Sequence, residues 1–214
     1  MEHTTEQKNM QEQTKQPDEN SGILIQGHLK IFDPNSKEVM VDKRNAIHYE
    51  NFSNSLAQSM ANKDLGYIYN MSFGNGGSSV DTTGVITYLP PNTSGTNADL
   101  YNQTYQKIVD DTSAANTDAT RNKLTVLHTS GKVYTDILVS CLLDYGEPSD
   151  QSAFDNVQDL NGDYVFDELG LRARSTDGTS GLTTTGKLLT HVVFHPVQKS
   201  LNRLIQIDYT VRIQ

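Results

Sequence analysis

Tryptophan is absent from this 214-residue chain, cysteine occurs once, proline six times, and aromatic residues make up only 7%. A lone cysteine excludes an internal disulfide and a cysteine zinc cluster. Its setting, Ile137-Leu-Val-Ser-Cys-Leu-Leu143, predicts a buried structural thiol rather than a nucleophile. No run approaches the roughly 20 apolar residues that a membrane span needs. Positive charge is scarce too: 17 Lys and Arg stand against 26 Asp and Glu, for a net charge of -9. Gripping nucleic acid through its phosphates takes a concentrated basic surface. The nearest approach, Arg172 with Arg174, belongs to no longer basic run, so nucleic acid is not expected as the main partner.

What is present is polar but uncharged. Charged residues are only 20%, and the low mean hydropathy of -0.55 comes from Asn, Gln, Ser and Thr. Such chains tend to be β-rich and to assemble. Residues 1–22 form a polar N-terminal arm with no apolar signal core, so no secretory leader is expected. This composition buries too little surface to offset chain entropy, which predicts an arm that is disordered until a partner orders it. Residues 23–214 then read as one β-rich domain, with a long polar excursion at about 81–122.

Within that domain, Ile23–Phe32, a turn at Asp33–Ser36 and Val39–Val41 predict a hairpin. Phe52, Leu56 and Met60, with Ala57 and Ala61, recur at helical spacing between His48 and Asn62, and this stripe reads as a core face. Tyr67–Phe73 is a strand candidate, Val85–Leu89 a short one, and Asp99–Val109 a helix candidate. Further strands are expected at Lys123–His128, Val133–Tyr145, Asp163–Leu171, Leu188–Phe194 (ended by Pro196) and Arg203–Ile213, with glycines punctuating the gaps. The expected fold is therefore mainly β: an antiparallel β-sandwich with one packed helix. No repeat or heptad run supports a fibre shaft.

Three motifs invite chemistry. Gly74-Asn-Gly-Gly77 follows a strand as phosphate-cradling loops do, but the following helix and the Lys-Ser/Thr pair are missing. A tight turn at positive φ is the expectation. Asp159, Asn161 and Asp163 match the first three ligands of a calcium loop, yet Tyr164 stands where glycine belongs and Gly170 where the closing glutamate belongs. An Asn-Gly hairpin is the competing reading. His191 and His195 would converge on a metal from a helix, but on a strand they sit about 13 Å apart. No nucleophile elbow, HExxH or Cys/His pairing occurs. Neither a cofactor nor catalysis is expected.

Phe166-Asp-Glu-Leu-Gly-Leu171, Leu188-Leu-Thr-His-Val-Val-Phe-His-Pro196, Asn202-Arg203 and Tyr209-Thr-Val-Arg-Ile213 resemble tailed-bacteriophage virion structural proteins. Asp42-Lys-Arg-Asn45 and Met71-Ser-Phe-Gly-Asn-Gly-Gly77 agree with that class. The resemblance is scattered over residues 24 to 214, and its motifs are structural. It implies a non-enzymatic part of the virion, made in the host cytoplasm: an accessory ring or adaptor at the neck, collar, tail or baseplate. The implied partners are other copies of the chain, in a homo-oligomeric ring or trimer, and neighbouring virion proteins. A capsid decoration protein and a carbohydrate-binding adhesion module are the rivals, the latter through Tyr67, Tyr69, Tyr88, Tyr101 and Tyr105 as stacking platforms. Arg172, Arg174, Arg203, Arg212 and Glu168 are candidate interface residues, with ordinary salt bridges as the alternative. The arm is expected to clamp a neighbouring subunit by strand addition.

Overall fold

Alternation builds most of this molecule. In the computed structural model, which describes residues 22–63, 66–149, 163–174 and 185–214, β1 (Ile25–Phe32) buries Ile25, Leu29 and Ile31 and turns His28 and Lys30 outward. The last strand, β13 (Ile205–Ile213), does the same with Ile207, Tyr209 and Val211. The period of two places one face of each strand on the core. β1 pairs on one side with β2 (Val39–Arg44) and on the other with β13. β9 (Thr135–Leu143) and β8 (Lys123–Leu127) complete a sheet of order β2-β1-β13-β9-β8.

The second sheet has the order β3-β12-β10-β4-β7, with β11 (Thr185–Leu188) also paired to β10. Its strands are β3 (Ala46–Ile47), β12 (Thr190–Ser200), β10 (Asp163–Arg174), β4 (Ile68–Gly74) and β7 (Gln103–Ile108). Every strand pairing is antiparallel. The inner faces of both sheets share one core. Leu29, Ile31, Val139, Cys141 and Tyr209 come from the first, and Met71, Phe73, Phe166, Leu169, Leu171 and Phe194 from the second. Phe166 meets Phe73 and Phe194 edge-on, with ring centroids at 5.4 and 5.8 Å, the geometry that the ring quadrupoles favour. The antiparallel sandwich expected from the sequence is the observed fold.

Helix α1 (Tyr49–Ala61) starts where His48 Nδ1 accepts the Asn51 amide and stops where Asn62 turns left-handed, at φ 51°. The expected limits hold; the expected buried face does not. Asn51, Phe52 and Ser55 are buried, whereas Leu56 is half-buried and Met60 is 79% exposed. The chain returns against the middle of the helix: a Cβ on Gly66 would fall 2.0 Å from the Ser55 carbonyl oxygen. Only the first half of the helix therefore lies across the end of the sandwich.

Two further expectations are corrected. Asp99–Val109 contains no helix; residues 103–108 form β7, because the edge of β4 from Asn70 to Gly74 offers a ladder. Pro196 does not end its strand either. Phe166 pairs with Val197 and Glu168 with Val193, so Pro196 sits in an irregularity of β12, where a missing N–H is tolerated. Opposite it, the single residue Asp167 of β10 faces the three residues Phe194, His195 and Pro196 of β12. The arm at residues 1–21 lies outside the described residues, as do Asp159 and Asn161. Of Asp163 only the backbone, opening β10, is described.

Candidate functional site

Because of that irregularity, the adjacent Asp167 and Glu168 both serve the outer side of the second sheet, where residues 75–102 cross it. This side is buried and polar. Glu168 Oε1 accepts the backbone amides of Gly76 at 3.1 Å and Asn102 at 2.8 Å. Its Oε2 accepts the Tyr101 amide and His191 Nε2, both at 2.9 Å. The neighbouring Asp167 takes the Gly77 amide at 2.9 Å on one oxygen, and the amide and hydroxyl of Ser78 at 2.7 and 2.5 Å on the other. The glycine-rich loop does cradle an anion, and the anion is the chain's own.

That explains the glycines better than turn geometry. Gly74, Gly76 and Gly77 do not have positive φ, contrary to expectation. They are small because neighbours approach closely: a Cβ on Gly74 would sit 2.4 Å from Glu168 Oε1, one on Gly76 2.8 Å from the Asn102 amide nitrogen, and one on Gly77 2.9 Å from Val193 Cγ1 and 3.1 Å from Glu168 Cβ.

The histidine is locked in the same way. A backbone N–H can only donate, so the Asn92 amide at 2.7 Å from Nδ1 fixes the lone pair there. The ring proton is then on Nε2, donated to Glu168. Both ring nitrogens are occupied and the side chain has no solvent exposure. A histidine so placed has no lone pair with which to take a substrate proton. Burial pushes the Glu168 carboxyl up, but the His191 bond and the Asn102 and Tyr101 amides outweigh it, and the net shift is downward. For Asp167 burial prevails over the Ser78 and Gly77 bonds, and the net shift is upward.

Arg172 continues the network. It is 4% exposed and donates to Ser72 Oγ at 3.0 Å, the Gly186 carbonyl at 3.3 Å and Gln103 at 2.6 Å, and it pairs with Asp99. Glu168 and Arg172 thus tie residues 75–103 to the sheet from within. Of the other candidates, Arg174 bonds the Tyr67 hydroxyl at 2.7 Å and lies over the Tyr69 ring. Arg203 bridges Asp33 and Glu38, and Arg212 holds Asp136 through two bonds of 2.7 and 2.8 Å beneath Tyr134. All four arginines have partners inside the chain.

A second polar cluster, unmarked by any motif, closes the other end of the core. Lys199 is fully buried and donates to the Asp144 and Ser200 carbonyls at 2.9 Å each. Burial lowers its ammonium pKa to about 8. Lys107 donates to the Leu142 carbonyl at 2.7 Å and pairs with Glu147. Beside them the Cys141 thiol is buried, and desolvation raises it to about 12, which leaves it unreactive.

His195 is not beside His191 in function: it is exposed and meets the Tyr88 hydroxyl at 3.1 Å. Of the five tyrosines, Tyr67, Tyr88 and Tyr101 are exposed. Tyr69 is buried, Tyr105 packs on the core, and the Tyr101 hydroxyl is tied to the Pro90 carbonyl. Among the described residues no three His, Cys, Asp or Glu side chains are placed to hold a metal ion, and no helix is long and apolar enough to cross a membrane. Compared with known protein families, curated proteins and solved structures, the chain matches none.

Proposed function

We propose that the chain is a non-enzymatic structural subunit of a tailed-phage virion, an accessory ring or adaptor at the neck, collar, tail or baseplate. The observation that carries the non-enzymatic half is the saturation of the buried network. Every oxygen of Glu168 and both nitrogens of His191 are engaged by the chain itself, so this buried acid–base pair holds a loop in place. The virion half rests on the resemblance of the Phe166–Leu171 and Leu188–Pro196 segments to that class.

Peptide mass spectrometry of purified particles, separated into heads and tails, tests the proposal. Recovery with the tail fraction is the expected result. Absence from particles overturns the virion reading, and recovery with heads alone moves the chain to capsid decoration. A reproducible hit on a glycan array would favour the adhesion reading.

A further inference from the structure

A groove opens where β2 leaves β1. Pairing between these strands begins only at His28 with Arg44, and one residue later Asn45 carries the chain across to β3 in the other sheet. The first half of β1 is thus paired to β13 on one side and has no ladder partner on the other. Leu24 bonds Gln214 through both its amide and its carbonyl, at 2.8 and 3.0 Å. By antiparallel alternation, the main-chain groups of Ile25 and Gly27 therefore point away from β13. Their carbonyls take the Tyr49 hydroxyl and the Asn45 amide, each at 3.1 Å, while their N–H groups face a cavity of about 810 Å³ with no strand opposite.

Three features of the walls describe what fits. Arg44 is exposed and has no ion pair or hydrogen bond from its side chain among the described residues. Asn45 Oδ1, pressed over Gly27, is a buried acceptor without a donor. Ile25 and Tyr49 also border a smaller apolar cavity that reaches Leu56 and Met60 on α1. The site asks for an extended backbone that carries negative charge and amide donors.

We propose that residues 1–21 of a second copy of this chain occupy the groove, adding a strand to this edge of β1. The segment holds five carboxylates, Glu2, Glu6, Glu12, Asp18 and Glu19, against two lysines, and six amide side chains among them Gln16 and Asn20. It joins the fold at Gly22, two positions before Leu24 in the groove wall. Fully extended, a segment of this length spans about 70 Å, far more than a reversal onto its own β1 would use and enough to reach a neighbour. The proposal deepens the assembly reading by naming the contact.

Sedimentation of the full-length chain over a range of concentrations tests it. The wild type should self-associate with rising concentration, and Arg44→Glu should weaken that association tenfold or more without moving the melting temperature. Asp18→Lys with Glu19→Lys should weaken it similarly, and all three changes together should restore it. A wild type that stays monomeric at every concentration overturns the proposal, as does association indifferent to Arg44→Glu. In the second case the assembly reading stands and this contact alone falls. Protection of the Lys8 and Lys15 tryptic sites in a monomer would also overturn it, because the segment would then lie on its own subunit.

Discussion

Replacing Glu168 by Gln changes one oxygen to an amide nitrogen and almost nothing in volume, which isolates the role of the carboxylate. Each oxygen faces two donors: the Gly76 and Asn102 amides at Oε1, the Tyr101 amide and His191 Nε2 at Oε2. Whichever way the glutamine turns, its NH2 opposes two donors. Turning it toward His191 gives no escape, because moving the ring proton to Nδ1 would set it against the Asn92 amide. Hydrogen bonds to a charged acceptor contribute about 1.5–3 kcal/mol each, and a buried donor left unpaired costs about 1–3 kcal/mol. Two lost bonds, partly relieved by relaxation, predict a loss of about 3–5 kcal/mol, a large share of the 5–15 kcal/mol that holds a typical domain together. Urea unfolding followed by circular dichroism should show a lower midpoint at unchanged slope. Hydrogen exchange should accelerate at residues 76–78 and 101–102, while the amides of β1, β9 and β13 keep their order of protection. A loss below about 1 kcal/mol, with exchange in those loops unchanged, would refute the reasoning.

The Glu168 carboxyl lies below its ordinary 4.5 in the folded state, so its contribution is complete above that pH and is lost as pH falls through the depressed value. Acid unfolding monitored between pH 5 and pH 2 should therefore be shallower in Glu168→Gln than in the wild type. Lys199 runs the other way: its folded pKa of about 8 is below the ordinary 10.5, so between these values the unfolded chain binds more protons and stability rises with pH. Lys199→Met should flatten that rise in urea midpoints measured from pH 7.5 to 10.5. Gly74→Ala, whose new Cβ would fall 2.4 Å from Glu168 Oε1 and 2.5 Å from the Asn102 carbonyl oxygen, should lose about 1–3 kcal/mol in the same assay. Phe166→Ala, which empties the space between Phe73 and Phe194, should lose about 3–5 kcal/mol, read as a fall in melting temperature.

What the sequence disclosed was whatever a local pattern encodes. The alternation of Ile25, Leu29 and Ile31 and of Ile207, Tyr209 and Val211 marks two strands and their inward faces. His48 and Asn62 mark the ends of α1. Local pattern misled where a long-range contact decides. Residues 103–108 have a tolerable helical composition, and only the waiting edge of β4 makes them a strand. Helical spacing put Leu56 and Met60 on a core face, but how far the sandwich extends beneath α1 is not written in the helix. The site was half visible. The Gly74–Gly77 pattern reads as a tight turn rather than as the anion cradle it forms, and Glu168 only as an interface candidate. Their junction was hidden, because Glu168 reaches Gly76 across 92 positions and His191 across 23, with no spacing rule to connect them.

The position of β13 between β1 and β9 also sets a timetable. Leu29 finds its ladder partner Tyr209 only 180 positions later. At a synthesis rate of about 5–20 residues per second, roughly 10–35 s pass between the making of the two. During that interval the β1–β2 hairpin exists with nothing along one side, and Leu29 and Ile31 have no sheet to close over them. A nascent chain in this state is open to pairing with the same strand of a neighbour on the polysome. Both the yield of native protein and its need for chaperones should therefore depend on how fast residues 205–213 leave the ribosome.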